Sequence, residues 1–248
     1  MDNARTFGQQ ATLYAQARPH YPAELFNWIA SNSPALKNVW DVGTGNGQAA
    51  MSLTQHFETV YASDPDPSQI KNNKNHSQIT YDVSDSSNSN LRKNSVDAIT
   101  VATALHWFDF ETFWNEVDRV SRPNAFFVAW TYHIMQCDQS LRTHLIDPIL
   151  EIVEPYWSYG NRLSWRGYPA DEVKMPFKQV SMPEFSCHLL WRPYQVANFA
   201  KSWSAHKKAR DAGFAKTLED IELKALKKLG DETRQVTLPI HGIAAHIS

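Results

Sequence analysis

Asp41, Gly43, Gly45 and Gly47 stand at alternate positions directly behind the apolar residues Val39 and Trp40, ahead of the helix-compatible run from Gln48. Glycine accepts positive φ and places no Cβ between main chain and ligand, so such a loop can seat a cofactor on bare backbone. The spacing discriminates between cofactors. A dinucleotide fingerprint, G-x-G-x-x-G, rests a pyrophosphate on the start of the next helix, but Gln48 stands where its last glycine would be needed. Three glycines alone also describe a tight turn, so the loop has to be weighed with the residues downstream.

Asp64 follows Gly43 by twenty-one residues, at the end of the β-prone run Thr59–Ser63 and ahead of Pro65. A carboxylate offers two acceptor oxygens to the two vicinal hydroxyls of a ribose, and the distance from the glycine loop suits that role. An acid opening a short helix is the simpler reading of Asp64 in isolation. Asp85 and Ser86 open a Ser/Asn-rich loop where a carboxylate and a backbone N–H can meet an adenine edge. The run Ala102-Thr103-Ala104-Leu105-His106-Trp107-Phe108-Asp109 ends a further strand, the edge at which open α/β sheets hold ligands. There His106 can serve as a base or a hydrogen-bond donor and Trp107 can screen a reacting group from water. Equally, His106 can close the strand while Trp107 fills the core.

The elements that must position these residues alternate. A helix is expected over about Pro22–Ser31, strands at Val39-Trp40, Thr59–Ser63, Ile79–Val83, Val96–Ala102 and Ala125–Trp130, and helices after the glycine loop, after Pro65-Asp66-Pro67 and around Phe113–Val120. Short links between strand and helix call for a parallel sheet with helices on both faces. Beyond about residue 135 the pattern changes to one long amphipathic helix (Leu141 to Tyr156), then a broken aromatic stretch to Phe177. Two later helices are expected, around Val196–Trp203 and around Leu218–Leu229, the second behind a capping-box-like Thr217-Leu218-Glu219-Asp220. Runs at Gln179–Leu190 and Val236–Ile247 can close the sheet. The chain therefore divides, as an expectation, into a cofactor-binding core (1–134), a cap-like insertion (135–178) and sheet-closing strands and helices (179–248) of a single domain.

The 248 residues carry a net charge of −2, with 42% hydrophobic and 20% charged residues, which argues against a broad nucleic-acid surface. Cys137 and Cys187 lack a C-x-x-C partner and read as buried or free thiols, and no His cluster shows metal-ligand spacing. No apolar run approaches the ~20 residues of a membrane span, so no membrane partner and a cytoplasmic location are expected. Nine tryptophans fit core filling better than the lining of an apolar pocket.

The chain resembles the class I S-adenosylmethionine (SAM) dependent methyltransferases of the methyltransferase type 11 group, and among them the trans-aconitate methyltransferase branch. The resemblance rests on Tyr14-Ala15-Gln16-Ala17-Arg18-Pro19-His20-Tyr21-Pro22, the loop Asp41-Val42-Gly43-Thr44-Gly45-Asn46-Gly47, Asp64-Pro65, Ser95–Thr100 and Ala104–Asp109. Trp203-Ser204-Ala205 and Leu238-Pro239-Ile240 also look like that branch.

The resemblance implies a Rossmann-like, mostly parallel seven-stranded sheet whose last strand is antiparallel, with SAM across the ends of the first four strands. Tyr14 and Arg18 would close over the cofactor, Arg18 forking its carboxylate. Asp41, Gly43, Thr44, Gly45, Asn46, Gly47, Asp64, Pro65, Asp85, Ser86, Ala102 and Ala104 would surround it, and His106 and Trp107 would face the reacting methyl. One departure stands out: such proteins usually carry Ala-Glu or Ala-Asp and then Leu-Pro at the adenine loop, where this chain has Ser86-Ser87-Asn88-Ser89-Asn90.

Acceptor candidates come from the cap. Trp165, Arg166 and Tyr168, with Trp157, Tyr159 and Arg162, can receive a small acid or simply anchor a surface loop. The implied activity is methyl transfer to a small molecule, a carboxylate of the trans-aconitate kind among the candidates, by a monomer or homodimer. A methyltransferase acting on a macromolecule and a regulatory protein that binds SAM or S-adenosylhomocysteine without turnover are the alternatives.

Overall fold

The computed structural model describes residues 19–247, so Tyr14 and Arg18 lie outside the described residues. In chain order the strands are β1 (Asn38–Val42), β2 (Thr59–Ser63), β3 (Ile79–Asp82), β4 (Val96–Ala102), β5 (Ser121–Tyr132), β6 (Gln136–Cys137), β7 (Lys178–Val180), β8 (Phe185–Trp191) and β9 (Arg234–Ile247). The chain divides into two compact units, one made of residues 20–133, 163–185 and 240 onward, the other chiefly of 134–162 and 186–239.

The first unit is built on a sheet in the order β3-β2-β1-β4-β5-β9, with β7 on the far side of β9. β1 to β5 pair in parallel, whereas β9 runs antiparallel to both β5 and β7. Its seven strands with one reversed have the Rossmann-like arrangement expected above. Central parallel strands are covered on both faces and read as continuous apolar runs. Accordingly β4 is buried from Val96 to Val101 and β5 from Ala125 to Tyr132. Trp40, Phe113, Trp114, Phe127 and Tyr168 belong to one packed core. Asp97 anchors the start of β1 by accepting from the backbone N–H of Lys37 (3.0 Å) and Asn38 (2.8 Å), and its charge is paired with Arg122 at 2.6 Å.

Residues 163–177, grouped with the cap by sequence, pack on this sheet instead. Val173 is buried in the same core and its carbonyl accepts from Trp114 Nε1 at 2.7 Å. Phe177 meets Trp114 edge to face.

In the second unit, Gln136 and Cys137 of β6 pair with Thr237 and Val236 of β9, and β8 also pairs with β9. The expected Leu141–Tyr156 helix forms, but with a wide turn over Arg142–Ile146. The cause is Pro148, which has no N–H to give the carbonyl four residues back; the helix closes instead through Asp147 N–H to Arg142 C=O. The stretch read as broken contains a helix, Tyr159–Trp165, anchored by Arg162 on Glu154 at 2.6 Å. Thr217 caps nothing: the last helix, Ala215–Leu229, begins two residues earlier, after Gly213 turns the chain at φ 101°. Lys201–Glu222 and Arg210–Glu219 tie that helix to its predecessors. Neither Cys137 nor Cys187 is in a disulfide, and burial pushes the pKa of their thiols up to about 11 and about 12.

Candidate functional site

The glycine loop leaves β1 with all three of its glycines at positive φ: 65° at Gly43, 54° at Gly45 and 72° at Gly47. Two of them also have close neighbours. A Cβ on Gly43 would stand 2.7 Å from Ala104 Cβ, and one on Gly47 would stand 2.9 Å from the Tyr81 hydroxyl. Gly45 differs, because among the described residues nothing lies within 4 Å of where its Cβ would be. It offers bare backbone to whatever meets the loop.

Asp41 is fully buried beneath this turn. Its carboxylate accepts from the hydroxyls of Thr44 (2.6 Å) and Thr100 (2.8 Å), so it braces the loop from below. Burial, with a smaller push from Asp64, raises its pKa to about 6 against the hydroxyl bonds that lower it. Asn73, which carried no sequence signal, holds the loop from outside by donating Nδ2 to the Gly45 carbonyl at 3.0 Å.

Asp64 sits at the mouth of β2 beside Gly45. One carboxylate oxygen accepts from Gly45 N–H and the other from Asp66 N–H, each at 2.9 Å, which fixes the plane of the group. Partial burial holds its pKa above the ordinary carboxylate value despite those bonds. Each oxygen retains capacity for a second donor.

At the third strand, the exposed Asp85 accepts from Ser87 N–H (2.9 Å) and Ser87 Oγ (2.8 Å), which keep its pKa low. Ser86 is buried beside it. The Ser/Asn loop is secured by a residue the sequence did not single out: Glu116 accepts from Ser89 N–H at 2.8 Å and is paired with Arg119. Burial alone would raise the Glu116 pKa, but the Arg119 and Ser89 bonds hold it below its usual range.

The end of β4 carries strain. Thr103 has φ 56°, rare for a β-branched residue, and its N–H bonds the Trp130 carbonyl at 2.7 Å. Directly after it, Leu105–Trp107 form a single 3₁₀ turn with Leu105 buried. Trp107 does not fill the core; it is 63% exposed. His106 is half-buried, with its Nδ1 3.0 Å from the Tyr168 hydroxyl.

Of the three cap candidates, Tyr168 is thus joined to His106, yet it is wholly buried and so is no wall for a substrate. Arg166 is taken up by a two-pronged pair with Glu172, both bonds 2.7 Å. Trp165 is half-buried. At the end of β5 the rings of His133 and His241 stack at 4.1 Å, a pairing created by the β5–β9 register that no sequence spacing announces. Among the described residues no group of three or more His, Cys, Asp or Glu is placed to hold a metal.

Residues 40–129, which span the glycine loop, Asp64, Asp85 and His106, match the methyltransferase-domain family Methyltransf_11. A solved structure from Anaeromyxobacter dehalogenans, assigned as a type II methyltransferase, superposes with a TM-score of 0.84 at 31% identity, over 93% of this chain and 98% of that one. The chain belongs to the class I SAM-dependent methyltransferases. The methyltransferase is similar over nearly its whole length to a Dictyostelium discoideum protein assigned as a methyltransferase, 28% identical over 96% of this chain and 93% of the other. It also resembles Saccharomyces cerevisiae CRG1, assigned to the SAM-dependent methyltransferases, at 24% identity over 89% and 88% of the two chains. SAM is accordingly its cofactor, and methyl transfer its class of reaction. No helix among the described residues of the methyltransferase is long and apolar enough to cross a membrane.

Proposed function

We propose that this methyltransferase modifies a small molecule, with carboxylates of the trans-aconitate kind the first acceptors to test. SAM supplies a methyl group already made electrophilic by its sulfonium. What remains for the chain is to bind, orient and keep water away, and alignment of this kind is worth on the order of 7–11 kcal/mol in favourable cases.

The described residues fit the cofactor. Gly45 provides backbone that an added Cβ would cover, and beside it Asp64, its plane fixed by Gly45 and Asp66, would accept the ribose hydroxyls. Thr44, Asn46 and Gly47 would complete the loop contact, with Pro65 closing the far side. Asp85 and Ser86 would meet the adenine, and Ala102 and Ala104 would lie under the reacting end. His106 would hold the acceptor, and Trp107 would shield it from solvent. Tyr14 and Arg18 keep their proposed contact with the carboxylate end of the cofactor.

The observation that carries the reading is the alignment of Gly45, Asp64 and His106 at the C-terminal ends of β1, β2 and β4, neighbours in one parallel sheet. A net charge of −2 favours a small acceptor over a nucleic acid. A carboxylate acceptor is ionised at neutral pH and needs no base; His106 would then bind and not deprotonate it.

Incubation with SAM and a panel of small acids, alcohols and amines, trans-aconitate included, tests this. Formation of S-adenosylhomocysteine together with a methylated small acid is expected. SAM binding with transfer only to RNA or protein, or with no transfer at all, contradicts the proposal.

A further inference from the structure

The site leaves one feature without a role: the turn Gly167-Tyr168. Both residues have positive φ, 74° and 59°, and an aromatic residue takes that conformation only when its surroundings impose it. Tyr168 is wholly buried, and its hydroxyl is 3.0 Å from His106 Nδ1, with the two rings nearly parallel. Gly167 is pressed against the last strand, where a Cβ would come within 3.2 Å of His241 Cβ. His241 in turn stacks on His133 at the end of β5. The turn is therefore wedged between the loop after β4 and the strand pair β5–β9, and its geometry is set from both sides.

We propose that Tyr168 is a positioning residue, holding His106 in the tautomer that carries its proton on Nε2, so that His106 presents a hydrogen-bond donor to the acceptor. The Tyr168 hydroxyl and His106 Nδ1 are 3.0 Å apart, so one donates to the other, and a phenol that holds its proton can donate it to an unprotonated Nδ1. With Nδ1 accepting, neutral imidazole has its N–H at Nε2. Substrate contact is not required of Tyr168; it acts through His106. This inference rests on the proposed role of His106 in holding the acceptor.

Imidazole nitrogen-15 spectra of the full-length protein with S-adenosylhomocysteine bound test it without any acceptor. The expected result is a single Nε2–H tautomer for His106, which becomes a mixture in Tyr168→Phe. A His106 protonated on Nδ1, or one averaging between tautomers in the unmodified protein, overturns the proposal. Turnover of trans-aconitate supplies the second arm. Tyr168→Phe is expected to lower kcat roughly tenfold or more while the SAM Kd and the unfolding midpoint stay close to those of the parent. The Tyr168→Phe, His106→Ala double variant should be no slower than His106→Ala alone. Independent, multiplying losses in the double variant overturn the positioning role. If instead His106→Ala turns over normally, the role of His106 itself has failed, and the spectra still decide whether Tyr168 sets its tautomer.

Discussion

The two acids of the glycine-loop region have different tasks although both flank the same turn. Asp64 is half-buried with its plane fixed, so replacing it by Ala should weaken SAM binding roughly 10- to 100-fold, the effect of losing charge-assisted hydrogen bonds of about 1.5–3 kcal/mol. Calorimetric titration with SAM checks this, and an unchanged Kd would remove Asp64 from the site. Asp41 is a brace. Its folded pKa of about 6 lies above the ordinary 3.8, so the folded state binds extra protons between those values and the ionised carboxylate costs stability above them. The difference in unfolding midpoint between Asp41→Asn and the unaltered protein should therefore move in the variant's favour from about pH 4 to about pH 7. A difference independent of pH would show that Asp41 is not desolvated as described. Residue types at Asp41 and Asp64 were legible in the sequence; which one braces and which one faces outward was not, because that depends on Thr100, fifty-nine positions from Asp41.

The glycine loop is a single element whose members have unequal reasons for being glycine. Gly43→Ala drives a Cβ into Ala104 and should lower the unfolding midpoint with or without SAM. Gly45→Ala carries only the cost of the left-handed backbone, about 1–2 kcal/mol, but should lose SAM affinity beyond that, because its Cβ enters the space proposed for the cofactor. Melting curves recorded with and without SAM separate the two, and equal ligand-induced stabilisation in Gly45→Ala and the parent would contradict the placement. Element boundaries in the first 130 residues followed from apolar periodicity and from Pro and Gly punctuation. The later part was less legible. Pro148 widens its helix without ending it, Gly213 moves the start of the last helix away from Thr217, and Tyr168 turns back to a histidine sixty-two residues earlier, none of which a local pattern encodes.

At the scale of the whole molecule, the cofactor-side motifs among the described residues, from the glycine loop to His106, fall in the unit holding the parallel sheet, while the other unit carries its own titration behaviour. Burial, reinforced by Arg210 and Lys201, pushes His206 down to about 4, below the ordinary 6.5. The folded state thus binds fewer protons between those values, and the stability this neutral histidine permits is complete above about pH 6.5 and lost as pH falls toward 4. His206→Gln should flatten that part of the stability profile in urea unfolding; an unchanged profile would place the acid sensitivity elsewhere.

The most direct measurement is a crystal structure with S-adenosylhomocysteine bound. The ribose hydroxyls are expected within hydrogen-bond distance of Asp64, with the nucleoside lying across Gly45 and the sulfur directed toward His106. A product molecule bound away from the loop, with Asp64 facing only its own backbone partners, would contradict the site.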